Sequence, residues 1–89
     1  MDRKEIEKKV NQVFEESFEI DSGELSSDKG IFEDLGLDSL DIVDLVVALQ
    51  KKFGVKIRDD NRVREIRKLG DIYNFIESLY KEGNFSAKE

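Results

Sequence analysis

Ser39 is the residue of this chain whose surroundings point to chemistry. It sits in "LGLDSLDIVDLVVAL" (residues 35–49), with Asp38 before it and Asp41 and Asp44 behind it. A serine hydroxyl becomes a useful nucleophile when a neighbouring base takes its proton, and that base is most often histidine. The chain contains no histidine and no cysteine. Lysine is the remaining base, and the nearest downstream, Lys51 and Lys52, lie roughly three helical turns away, too far for a triad. Calcium binding fails on spacing: Asp38, Asp41 and Asp44 recur every third residue, whereas an EF-hand loop needs acids at alternate positions, a central glycine and a closing glutamate. Two readings remain. Asp38 or Ser39 caps a helix, since both residue types satisfy free N–H groups at an N-terminus. Alternatively the hydroxyl is esterified to a phosphate, whose charge would lie beside those N–H groups and the positive end of the helix dipole.

Composition narrows the setting. Eighty-nine residues predict one domain, residues 1–89, with a single modest core. Without cysteine or histidine, disulfides and the usual metal ligands are unavailable, so neither a catalytic residue nor a metal ligand is assigned. Charges interrupt the apolar residues of "DRKEIEKKV" at every step, so neither a signal peptide nor a membrane span is expected there, and a cytoplasmic location is the default. A net charge of −6 argues against nucleic acid as a partner. Residues 1–49 hold 14 acidic and 5 basic side chains, residues 50–89 hold 7 and 10. An acidic face and a mildly basic one follow.

The elements that must position Ser39 are helical. Ile6, Val10, Val13, Phe14 and Phe18 form the apolar stripe of a first helix, and Asp2 with Glu5 resembles a capping box at its start. Periodicity lapses from Glu19 to Asp38, where Ile20, Leu25, Ile31, Phe32 and Leu35 are expected to pin a long loop to the core. A second helix is predicted from about Ser39 to Phe53, with Ile42, Leu45, Val46, Leu49 and Phe53 on its core face and Gly54 closing it. Leu40, Val43 and Val47 form a further apolar line flanked by Asp41 and Asp44, more hydrophobic surface than one core contact needs. "VKIRDDN" reads as an extended connector. Val63, Ile66 and Leu69 suggest at most two turns of a minor helix. A last helix begins near Gly70 or Asp71 with Ile72, Phe75, Ile76 and Leu79 buried, and residues 81–89 read as a frayed tail. The fold class is all-α, a small four-helix bundle of three main helices and one short one.

Against that reading, "EDLGLDSLDIVDLVVALQKKFGVKI" (Glu33 to Ile57) resembles the core of acyl carrier proteins. The match includes F-x-x-L-G-x-D-S-L at Phe32 to Leu40, the aspartate after the leucine, and the phenylalanine and glycine that close the helix. The resemblance implies that Ser39 carries a covalent 4′-phosphopantetheine arm, received from coenzyme A through a magnesium-dependent phosphopantetheinyl transferase. It implies a non-enzymatic, most simply monomeric shuttle whose arm holds acyl groups as thioesters for fatty-acid or specialised lipid or polyketide-type synthesis. Asp38, Leu40, Asp41, Val43, Asp44 and Val47 would then face acyl-transferring and acyl-modifying enzymes with basic docking patches. Leu45, Val46, Leu49, Ile57, Ile66 and Phe75 become candidates to line an acyl pocket.

Three features depart from the fatty-acid type. Gln50, Lys51 and Lys52 replace the usual acids, Arg58 stands where proline is common in a connector one residue longer, and Arg62, Arg64, Arg67 and Lys68 make the third helix basic. These departures predict a carrier for a dedicated or secondary pathway. The alternative of another class is an unmodified acidic helical adapter that binds a basic partner through the second helix.

Overall fold

The computed structural model describes residues 2–55, 57 and 61–82. Three α-helices carry the fold: α1 (Arg3–Phe18), α2 (Ser39–Phe53) and α3 (Leu69–Glu82). Short 3-10 segments span Ser22–Glu24 and Asn61–Glu65. The minor helix read from Val63, Ile66 and Leu69 is thus one 3-10 stretch of 5 residues, and Leu69 belongs to α3. Lys81 and Glu82, expected in the tail, complete α3, while the rest of that tail lies outside the described residues, as does Arg58 of the connector.

One face of each helix supplies the core. Ile6, Val10 and Phe14 of α1, Leu45 and Leu49 of α2, and Ile72, Ile76 and Leu79 of α3 are essentially sealed from solvent. Truncating a side chain such as Leu49 to alanine would cost about 2–5 kcal/mol. Helix α1 packs against both α2 and α3. Asp2 caps it, its Oδ1 accepting from the Glu5 N–H at 2.9 Å. At its far end Glu19 adopts the left-handed conformation at φ 56°.

The loop between α1 and α2 is anchored by Ile31, as expected, and by Leu37, which the pattern did not nominate, both buried. Ile20, Leu25 and Leu35 pack on the core edge, but Phe32 is 38% exposed. Expecting Phe32 inside was wrong because no periodicity operates in a loop: Ile31 takes the inward position and its neighbour faces out.

Polar contacts tie the helices together at their ends. Arg3 donates to Glu7 at 3.0 Å, to Asn74 Oδ1 at 2.8 Å and to Glu77 at 3.2 Å, and its guanidinium lies 5.6 Å from the centre of the Tyr73 ring. The Tyr73 hydroxyl donates to Asn11 Oδ1 at 2.6 Å. The Tyr80 hydroxyl donates to the Phe53 carbonyl at 2.7 Å, fastening α3 to the end of α2. Burial pushes both tyrosine hydroxyls above their ordinary pKa.

The start of α3 is locked to the loop. An antiparallel bridge joins Gly30 and Lys68, with the Ile31 N–H donating to the Arg67 carbonyl at 2.9 Å and the Leu69 N–H to the Lys29 carbonyl at 3.0 Å. The Gly70 N–H donates to the Ser27 carbonyl at 2.9 Å. Glycine is required there by closeness alone, because a Cβ at position 70 would stand 2.9 Å from the Ser27 carbonyl oxygen.

Candidate functional site

Ser39 is the first residue of α2, and its side chain is exposed. The capping role belongs to Asp38, which resolves the choice between the two residues. Asp38 Oδ1 accepts from the Leu40 N–H at 2.9 Å and the Asp41 N–H at 3.1 Å, while Asp41 Oδ2 accepts from the Asp38 N–H at 3.0 Å. This reciprocal capping box fixes the direction in which the chain enters the helix. Among the described residues none hydrogen-bonds to the Ser39 hydroxyl or its backbone N–H. The hydroxyl therefore has no structural duty.

The surroundings fit an esterified phosphate. Open space lies outside the hydroxyl, the unbonded Ser39 N–H stands beside it, and the helix dipole places positive potential there. The nearest carboxylates, Asp38 and Asp41, are both engaged by backbone N–H groups, which offsets part of their repulsion of a phosphodiester. Gly36, at φ 76°, turns the chain into this segment, in a conformation that favours glycine.

The second apolar line of α2 is open to solvent as its spacing predicts. Leu40 is 77% exposed, Val43 62% and Val47 43%. Asp44 is exposed among them and Asp41 half-buried, so the apolar line runs through carboxylates. On the inner face Leu45, Leu49 and Phe53 are buried, while Ile42 and Val46, read as core, are half-buried against its edge.

Five of the six acyl-pocket candidates, Leu45, Leu49, Ile57, Ile66 and Phe75, are buried, and Val46 is half-buried. Ile66 and Phe75 also form the floor of a surface cleft of about 220 Å³ between the 61–65 helix and α3, with Arg62, Glu65, Asp71 and Asn74 among its walls. Leu45, Val46, Leu49 and Ile57 do not line it. The basic segment is not uniformly free. Arg62 forks onto Glu82 at 2.7 and 3.0 Å and stacks 5.2 Å from the centre of the Phe75 ring. That long-range pairing has no signature in local spacing, and sequence reasoning missed it.

An exposed serine at the mouth of a capped helix, in a three-helix core, is compatible with a carrier domain, and the family described as phosphopantetheine attachment site matches residues 8–76. The acyl carrier protein of Thermotoga maritima is 40% identical over 84% of this chain and 91% of its own length. Those of Campylobacter lari (42% identical, 81% and 92%) and Prochlorococcus marinus (41%, 88% and 96%) are similar to the same extent. The chain belongs to the acyl carrier protein family. It is accordingly a carrier rather than an enzyme, its prosthetic group is covalent 4′-phosphopantetheine, and the family works with a phosphopantetheinyl transferase and acyl-handling enzymes. Among the described residues no helix is long and apolar enough to cross a membrane.

Proposed function

We propose that Ser39 is the attachment point and that the chain carries acyl groups for a dedicated pathway rather than bulk fatty-acid synthesis. The observation that supports the attachment most directly is the division of labour at the start of α2: Asp38 caps, leaving the Ser39 hydroxyl exposed and unbonded. Attachment forms a bond from Ser39 Oγ to the phosphorus of coenzyme A next to the pantetheine, with 3′,5′-ADP as leaving group. The hydroxyl proton goes to a base outside this chain, which has no histidine. Once attached, the arm supplies a terminal thiol that holds acyl groups as thioesters.

Asp38, Asp41 and Asp44 face basic patches on the enzymes that load and unload the arm, speeding encounter, while Leu40, Val43 and Val47 add a small apolar contact. Weak binding suits a shuttle. The same reading makes residues 1–89 one monomeric cytoplasmic domain. A dedicated pathway is supported by Arg64, Arg67 and Lys68, exposed cations that an enzyme built for a uniformly acidic carrier would meet as like charge.

Intact-protein mass spectrometry tests the attachment, with the chain incubated with coenzyme A, magnesium and a broad-specificity phosphopantetheinyl transferase. The expected result is one added phosphopantetheine on the parent and none on Ser39→Ala. No gain on a folded parent, with a control carrier modified in parallel, would leave an unmodified acidic adapter. Turnover of the loaded chain by general fatty-acid synthase enzymes tests the pathway: poor kinetics are expected, and normal kinetics would overturn the dedicated role.

A further inference from the structure

The segment "RVREIRK" (residues 62–68) carries four cations and one acid in a chain of net charge −6. With Arg62 held by Glu82 and Phe75, the remaining three are exposed. None of Arg64, Arg67 and Lys68 forms an ion pair with a described residue. Asp28 feels Lys29 and Lys68 only at longer range. Arg67 is held in place: its Nη1 donates to the Arg64 carbonyl at 2.7 Å and the Ile66 carbonyl at 3.0 Å, and the residue is exposed.

This ridge is built into the same joint as the start of α2. The Ile31 N–H donates to the Arg67 carbonyl at 2.9 Å, and the Ile31 carbonyl accepts from the Leu37 N–H at 3.2 Å. Leu37 stands two residues before Ser39, a chain reach of at most about 7 Å. A cationic ridge and an acidic helix start are therefore fixed relative to each other by backbone hydrogen bonds.

We infer that Arg64, Arg67 and Lys68 form a second docking surface, which takes a carboxylate-bearing patch of the partner enzyme while α2 faces that enzyme's basic patch. The inference rests on the carrier reading and adds the partner's chemistry. A pair of opposite charges fixed on one frame sets the orientation of docking as well as its strength, because only one rotation satisfies both. A protein surface is favoured over an anionic membrane: a uniformly negative bilayer brought to the ridge would also meet Asp38, Asp41 and Asp44.

The test is a titration of the ¹⁵N-labelled full chain, loaded at Ser39, with hexaglutamate as a probe of carboxylate surfaces. It is followed by amide shifts at low ionic strength and again near 0.15 M, where the Debye length is about 8 Å. Shifts at Arg64, Arg67 and Lys68 that saturate before those at Lys4, Lys8 and Lys9 of α1 are expected. The variant R64E/K68E, which removes no hydrogen bond, should bind the peptide about tenfold more weakly. Shifts spread evenly over the lysines of α1, or unchanged binding by R64E/K68E, would overturn the inference. So would tighter binding of the ridge to phosphatidylglycerol vesicles than to the peptide. Loading is scored by mass on the same sample, so failure of the carrier reading is seen separately, and the titration reads the ridge on either form of the chain.

Discussion

Helices α2 and α3 begin in opposite ways. At the start of α2 the N–H groups of Leu40 and Asp41 are satisfied by Asp38, and the Ser39 N–H and hydroxyl are left to solvent. At the start of α3 the N–H groups of Leu69 and Gly70 donate to the carbonyls of Lys29 and Ser27, and Asp71 Oδ2 accepts from the N–H groups of Arg67 and Lys68, both at 3.0 Å. The two ends share the same dipole and the same unsatisfied donors in principle. What separates an open helix start from a structural joint is whether the loop packs over the helix mouth. Side-chain capping keeps the mouth open at α2, whereas backbone capping closes it at α3.

Substitutions at the two ends should therefore fail differently. The largest effect is on function alone: Ser39→Ala should abolish arm loading while leaving the unfolding free energy in urea within about 0.5 kcal/mol of the parent, since an exposed side chain without partners is removed. A larger loss of stability would mean that the open end has a structural duty. Next comes Gly70→Ala, which drives a Cβ into the Ser27 carbonyl and should destabilise the chain by about 1–3 kcal/mol in urea unfolding, with loading of Ser39 retained. Tolerance of alanine would show that the loop gives way and the closed end is less rigid than its hydrogen bonds suggest. Asp38→Ala should cost about 1 kcal/mol and slow loading, because the direction of the first turn is no longer fixed.

The smallest effect is acid-dependent and belongs to the closed end. The Ser26 hydroxyl donates to Asp28 Oδ1 at 2.7 Å and, with the backbone N–H of Asp28 itself, holds that carboxyl below the usual carboxylate range. A lowered folded value contributes stability above the unfolded pKa of about 3.9 and loses it as pH falls through the folded value. Ser26→Ala should reduce that contribution, narrowing the stability difference between neutral and acidic pH in denaturant titrations.

The open end was readable in the sequence and the closed end was not. Asp38, Ser39 and Gly54 bracket a helix whose buried Leu45, Leu49 and Phe53 follow from spacing, with Ile42 and Val46 at the core edge, and the exposed line Leu40, Val43 and Val47 falls where i, i+3, i+7 puts it. Capping and amphipathicity act within a few residues, so local pattern carries them. At α3 the decisive contacts join residues about 40 apart. Gly70 reads as a helix start, although its role is to let Ser27 approach. Leu37 is buried by the same joint, and Arg62 is claimed by Glu82, twenty positions on. Neither has a periodic signature.

The two tyrosines described above, Tyr73 and Tyr80, both lie on α3, and the chain has no tryptophan. Ultraviolet emission from this protein is therefore tyrosine emission and arises from α3 alone. Its change on unfolding tracks separation of the Tyr73 hydroxyl from Asn11 and of the Tyr80 hydroxyl from the Phe53 carbonyl. Opening at Ser39 leaves no direct optical trace, so a spectroscopist following Tyr73 and Tyr80 would watch the joint melt and see nothing of the exposed serine at the start of α2.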